Sequence, residues 1–169
     1  MDTIEAIMTR RSVRKFLERQ IPPEMVEKLL RAAMQAPSAV NQQLWHFIVI
    51  TDRQQLERVT EYHSSSQMLH KAPLGILICG DQTLEKRPNT WFQDCSAATQ
   101  NVLLAAHAMG LGAVWLGIMH DAGRVEGTRR VFNLPPHILP LSLVAVGYAE
   151  ETPPPEDRYL PERVRYNSW

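Results

Sequence analysis

Two cysteines are all that the 169-residue chain contains. Cys79 and Cys95 lie in apolar stretches, with no CxxC and no Cys/His spacing between them. A disulfide framework and a Cys-based zinc site are therefore not expected, and both residues read as reduced core thiols of a cytoplasmic protein. No cationic partner stands beside either in sequence, so a catalytic thiol is not expected. The six histidines, at 46, 63, 70, 107, 120 and 137, form neither HxH nor HExxH, and no metal site is expected. Charge of one sign is also missing: 18 Lys+Arg face 18 Asp+Glu. That balance gives no general attraction to nucleic acid or to an anionic membrane surface. No run is long and apolar enough to span a bilayer, and the acidic start MDTIEAIMTRR has no apolar signal region. Walker A, GxGxxG and GxSxG are absent, which argues against a P-loop, a Rossmann site of its own and a hydrolase elbow.

What is present reads as one domain over residues 1–169, a length that suits a single core. Asp2 can cap a short helix to Arg11 whose inner face holds Ile4, Ile7 and Met8. Pro22 and Pro23 open a second helix with a Val26, Leu29, Leu30, Ala33 stripe, which Pro37 stops. WHFIVI reads as a strand, and Asp52 caps a third helix carrying Leu56 and Val59. The Ser-rich HSSSQ that follows is expected to be a mobile connection. LGILIC, AVWLGI and LSLVAVGY read as three more buried strands, and Arg124 to Phe132 as a short helix. The longest helix runs from about Trp91 to Met109, ended by Gly110 as a left-handed cap. It is small or apolar almost all round, which predicts burial on every side and a second subunit packed on it. The last 19 residues, ETPPPEDRYLPERVRYNSW, have four prolines and three aromatics but no core pattern of their own. Such a tail, residues 151–169, is expected to extend and to dock on a neighbouring subunit.

Three places could carry chemistry. MTRRSVRKF puts Arg10, Arg11, Arg14 and Lys15 together with Ser12. Guanidinium forks and a hydroxyl suit a phosphate; alternatively the cluster is a solvated patch paired with Glu5 or Glu18. If the first helix continues, Arg10 and Arg14 share a face. APSAVNQQLWHF offers Ser38, Asn41, Gln42 and Gln43 in a loop between helix and strand, as ligand contacts or as turn chemistry. Gly117, near a strand end, permits close backbone approach by a ligand or marks a bulge.

In this order and spacing, RRSVRKF, APSAVNQQLWHFIVI, DCSAATQNVLLAAHAMGLGAVWLG and VAVGYAEETPPPEDRYLPERVRYNSW resemble the FMN-dependent nitroreductase family, in its short, compact form. The resemblance covers nearly the whole chain. It implies an α+β fold with a central mixed sheet flanked by helices, in an intertwined homodimer whose extended C-terminal tail crosses onto the partner. It implies FMN held at the subunit interface, NADH or NADPH as electron donor, and a small-molecule acceptor such as a nitroaromatic or a quinone. Arg10 matches the phosphate-side arginine, with Arg11 and Ser12 beside it, and Arg14 the cation near N1 and O2 of the ring. The partner subunit's Pro37, Ser38, Ala39 and Asn41 match the loop against the ring. Leu116 and Gly117 match the strand end near N5. Arg158 or Arg163 matches a second phosphate ligand, with Arg158 favoured. No side-chain acid or base is implied, because the flavin N5 carries the hydride in a ping-pong cycle and Arg14 tunes it. Leu44 stands where the family usually has proline, which leaves Gln43 less constrained. Alternatives are a flavin-binding storage or regulatory protein, a related flavin enzyme with a different reaction, and a structural dimer without cofactor.

Overall fold

The structure, a computed structural model, describes residues 1–169. Five α-helices and four β-strands follow in the order α1 (Thr3–Thr9), α2 (Pro23–Met34), β1 (Trp45–Ile50), α3 (Arg53–Tyr62), β2 (Leu74–Asp81), α4 (Trp91–Ala108), β3 (Gly112–Gly117), α5 (Ala122–Phe132) and β4 (Ile138–Gly147). The strands form one sheet in the order β1-β2-β4-β3. All three ladders are antiparallel, so the expected mixed sheet is corrected. Its parallel element is confined to a single bridge, Ser12 to Ala113, which covers the outer edge of β3. Such a cover keeps an edge from pairing with another chain.

Side-chain alternation sends each central strand into two cores. Ile76 and Ile78 of β2 and Val144 and Val146 of β4 join Leu29 and Ala33 of α2 and Ala98, Val102 and Ala106 of α4. Leu77 and Cys79, with Leu143 and Ala145, turn the other way, to Leu56 and Val59 of α3. Tyr62, Val125 and Phe132 pack on that second core. Both faces of the central strands are thus covered, which explains why β2 is apolar without alternation.

The caps follow the sequence. Asp2 accepts from the Glu5 N–H at 2.9 Å, and Asp52 from Gln54 at 2.8 Å. Helix α4 closes with Gly110 at φ +75°, where Gly110 N–H donates to His107 and Leu111 N–H to Ala106. Pro140 in β4 has no N–H to give its ladder. The register slips there, between the Ile78–Ser142 and Cys79–Pro140 pairs, leaving Leu141 in a bulge. The freed Leu141 carbonyl accepts from Ile118 and Met119, which fixes the chain just past the end of β3.

Both thiols are buried core residues, as expected, and burial pushes the Cys79 thiol up to about 12. Ile4, Ile7 and Met8 are exposed, so the expected inner face of α1 is not covered within one chain. The HSSSQ stretch is anchored where a mobile connection was expected. His63 and Ser66 are buried, and Ser66 Oγ donates to the His63 carbonyl at 2.6 Å. No helix is long and apolar enough to cross a membrane.

Gly127 of α5 fixes how closely α5 approaches α3, since a Cβ there would lie 2.3 Å from the Tyr62 ring. That ring is held by a 3.1 Å hydrogen bond between its hydroxyl and Thr128. Gly127→Ala is expected to lower the unfolding free energy by about 1–3 kcal/mol, against the stabilisation that alanine brings to an open helix. Urea denaturation of the two proteins measures it.

Candidate functional site

Helix α1 ends at Thr9, and Arg10 caps it with an extended ψ of 132°. The chain from Arg10 onward runs extended along β3, with Val13 N–H donating to Ala113 at 3.0 Å. Arg10 and Arg14 therefore share no helical face, which corrects that expectation. The side chains still gather. Arg10, Arg11, Ser12, Arg14 and Arg158 line one cleft of about 290 Å³ with Pro153, Pro154 and Glu156.

The cleft is short of negative charge. Its one carboxylate is Glu156, which holds Arg158 at 3.1 Å. Neither Glu5 nor Glu18 pairs with the cluster, and the only cation of the motif in an ion pair is Lys15, on Glu151 at 2.9 Å. Burial, then the neighbouring Arg11 and Arg158 guanidiniums, pull Arg10 below its ordinary value. Converging guanidiniums with too few anions are the electrostatic outline of an anion site. Arg11 has a further task. Its three nitrogens donate to the carbonyls of Pro154 at 3.0 Å, Arg10 at 2.7 Å and Glu156 at 2.8 Å. It thereby ties the start of the tail to the cleft and brings Arg158 to it. Beyond that point the tail stays exposed, Tyr159, Tyr166 and Trp169 included.

A second group of expected residues lies at the other end of α4. Pro37, Ser38, Ala39 and Asn41 belong to the loop between α2 and β1. Three non-glycine residues of this loop are left-handed: Val40 at φ 47°, Asn41 at 54° and Gln43 at 48°. For a β-branched valine this is a genuine outlier, and such strain persists only where surrounding contacts over-determine it. Here Asp94 supplies them. Its carboxylate, 4% exposed, accepts from Ala39 N–H at 3.0 Å and from Gln42 Nε2 at 2.7 Å. Gln42 Oε1 accepts in turn from Lys86 N–H at 2.9 Å. Ser38 Oγ accepts from Gln43 N–H at 3.0 Å. A proline at 44 would push residue 43 towards extended backbone; Leu44 leaves Gln43 free to turn left and fills the core itself. Gln42, offered by the sequence as a ligand contact or as turn chemistry, serves the loop itself, and Asp94 was missing from the sequence-based site. An acid inside an otherwise apolar helix was the available signal.

Leu116 and Gly117 end β3. A Cβ at Gly117 would meet nothing within 4 Å, so this strand end is open on one side. On the other, its carbonyl accepts from Arg124 Nη1 and stands 3.0 Å from His63 Nε2.

The structure therefore does not gather all the expected residues in one pocket of one chain. The thirteen residue-to-residue steps from Asp94 to His107 span about 20 Å of helix. Asp94 holds the 37–43 loop, while His107 Nε2 meets Thr9 Oγ1 at 2.8 Å beside Arg10. The loop and the arginine cleft lie at opposite ends of α4.

Two predictions follow from this geometry. Asp94→Ala strands the Ala39 N–H and the Gln42 amide; it should destabilise the fold by about 1.5–3 kcal/mol, the range for bonds to a charged acceptor. Amide hydrogen exchange should then speed up across residues 37–43. The second concerns His63 and His107. Burial first, then neighbouring guanidiniums, hold both imidazoles below their ordinary 6.5. The folded chain then binds fewer protons than the unfolded one just below that value. Their stabilisation is fully present above 6.5 and is lost as pH falls through the lower folded values. The urea midpoint should fall between about pH 7.5 and about pH 5.5, and the double variant His63→Gln, His107→Gln should narrow that fall.

Comparison with known proteins gives these features a context. The nitroreductase family model matches residues 7–67 and 60–148. A provisionally named NADH dehydrogenase/NAD(P)H nitroreductase of Methanothermobacter thermautotrophicus is 48% identical over 169 residues, 100% of this chain and 88% of that protein. A crystal structure from Parabacteroides distasonis ATCC 8503, provisionally named in the same way, superposes with a TM-score of 0.95 at 41% identity, covering 99% of this chain and 98% of the other. A provisionally named nitroreductase from Desulfovibrio desulfuricans, solved in complex with FMN, matches with a TM-score of 0.87 at 28% identity over 100% of this chain and 98% of that one. A sheet edge covered by an arginine-rich extended segment, a strained loop held by a helix acid and matching sequence over most of the chain agree: this chain belongs to the nitroreductase family.

Proposed function

We propose that the protein is an FMN-dependent oxidoreductase that takes hydride from NADH or NADPH and delivers it to an acceptor such as a nitroaromatic or a quinone, in alternating half-reactions. The coarser part, an NAD(P)H-dependent flavin oxidoreductase, follows from the family and from relatives named for that activity. The observation that carries the reading is the arginine cleft. Arg10, Arg11, Arg14 and Arg158 surround a polar space of about 290 Å³ with Ser12 and a single carboxylate. A phosphate monoester supplies the missing charge, and its oxygens suit guanidinium forks. Bound there, FMN would supply the hydride-carrying centre, which no side chain of the site replaces.

The chain's own residues then bind and orient. Arg10 and Arg158 face the phosphate, and Arg11 holds the tail that delivers Arg158. A guanidinium at Arg14 stabilises negative charge on a reduced ring, a preorganised electrostatic role. The open side of Gly117, next to Leu116, lets a flat ring approach the backbone. The ring's remaining wall comes from the partner subunit's Pro37, Ser38, Ala39 and Asn41, because within one chain that loop is at the far end of α4.

A homodimer follows from the same reasoning, with residues 1–169 as one FMN-binding domain and 151–169 laid on the partner. A groove of about 330 Å³ is lined by Leu104, Ala105 and Ala108 of α4 and by Thr3 and Ala6 of α1, the helix whose Ile4, Ile7 and Met8 are exposed. A second copy of this chain would cover both that face and the tail aromatics. Two buried thiols without activation suit a reducing, cytoplasmic setting.

The test is the visible absorption spectrum of the purified protein, followed by NADH or NADPH under argon. Flavin bands should be present, bleach with the donor and return with a quinone or a nitroaromatic. Bands that neither donor bleaches would favour the storage or regulatory reading. A colourless protein that takes up no added FMN would remove the cofactor from the proposal.

A further inference from the structure

Two donors converge on the Gly117 carbonyl, and neither belongs to the reading above. His63, just past α3, is 2% exposed, and its Nε2 lies 3.0 Å from that oxygen. Arg124, in the first turn of α5, places Nη1 at 3.0 Å from the same oxygen. A carbonyl accepts but cannot donate, so Nε2 carries the imidazole proton. Nδ1 is then bare, and it is buried with no partner. Each donor is itself held. Ser66 closes the turn around His63 through the His63 carbonyl at 2.6 Å. Asp121 accepts from the Arg124 N–H at 3.0 Å and lies 3.7 Å from its guanidinium.

The two sides of Gly117 are unequal. One side is pinned by a ring and a guanidinium from separate elements. The other is open, with nothing within 4 Å of a Cβ. Glycine has the most backbone freedom to lose, and it stands at the last position of β3. The N–H of the same peptide, on Ile118, donates to the Leu141 carbonyl at 3.1 Å, and the two donors fix its other end. A bare buried nitrogen is a standing energetic cost, and a plain packing residue at 63 would avoid it.

We propose that His63 and Arg124 are positioning residues for the cofactor site: they lock the Gly117 peptide from behind so that β3 ends in a rigid backbone wall for the flat ring in front. This rests on the flavin reading of Gly117. Neither side chain touches the ligand; both act through one carbonyl. A loosened wall weakens the fit to the ring, because orientation must then be fixed on binding.

Apoprotein is titrated with FMN, following flavin absorbance, for wild type, His63→Phe, His63→Gln and Arg124→Met. Phe keeps a ring but removes the donor, while Gln can present an N–H near the position of Nε2. His63→Phe should raise the FMN Kd about tenfold and displace the visible flavin band, and His63→Gln should stay within about twofold of wild type. Arg124→Met should raise the Kd in the same direction. Its side chain is partly exposed, so this arm decides should His63→Phe fail to fold. A wild-type Kd and band in His63→Phe or in Arg124→Met would overturn the proposal. So would His63→Gln as impaired as His63→Phe, since bulk and not the donor would then be at issue. Wild-type apoprotein that takes up no FMN would defeat the flavin reading itself and this inference with it.

Discussion

Helix α4 is the rod that sets every distance in the candidate site. Its eighteen residues make about 27 Å of helix, and Cys95, Ala98, Val102 and Ala106 press it onto the sheet without gaps. Neither end can shift without opening that core. The first turn carries Asp94 and, through it, the left-handed loop. The last turn carries His107, which meets Thr9 next to the arginine cleft. The loop and the cleft are therefore held at a fixed separation of about 20 Å of helix, and on the reading proposed above they would be two halves of one site. Symmetry removes the difficulty, since in a two-fold dimer the loop of one copy can face the cleft of the other. The same rod presents Leu104, Ala105 and Ala108 to a groove that one chain leaves uncovered.

Much of the fold was legible in the sequence because the local signals agreed with one another. WHFIVI is β1 residue for residue, and Asp2, Asp52 and Gly110 cap as their chemistry requires. What the sequence hid was pairing. Apolar runs announce buried strands but not their direction, and so a mixed sheet was expected where every ladder is antiparallel. Pro140 was equally silent. A proline inside an apolar run argues against a central strand, and only the Leu141 bulge shows how β4 accommodates it.

The site was legible as a set of residue types and illegible as a geometry. Arg10, Arg11, Ser12, Arg14 and Arg158 do share one cleft. The helical spacing offered for Arg10 and Arg14 was irrelevant, because α1 ends at Thr9. Arg11 read as one more cation, yet its fork is occupied by three backbone carbonyls. No sequence pattern announces that, since backbone acceptors carry no side-chain signature. The HSSSQ stretch misled for the opposite reason. Serines suggested mobility, while a single buried histidine anchors the turn to a strand end far away in sequence.

The arginine cleft also bears on stability. Like charges held together in the folded chain repel, and the direction of the Arg10 shift records that repulsion along with burial. The unfolded chain, being expanded, relieves it. An anion in the cleft relieves that repulsion. Any anion that binds there and not to the unfolded chain stabilises the protein by mass action. Arg11 makes the effect reach further, because the same guanidinium that borders the cleft holds the Pro154 and Glu156 carbonyls. The start of the tail is held by a residue that also borders the cleft, and on the reading proposed above a bound phosphate would couple cofactor and C-terminal arm through Arg11.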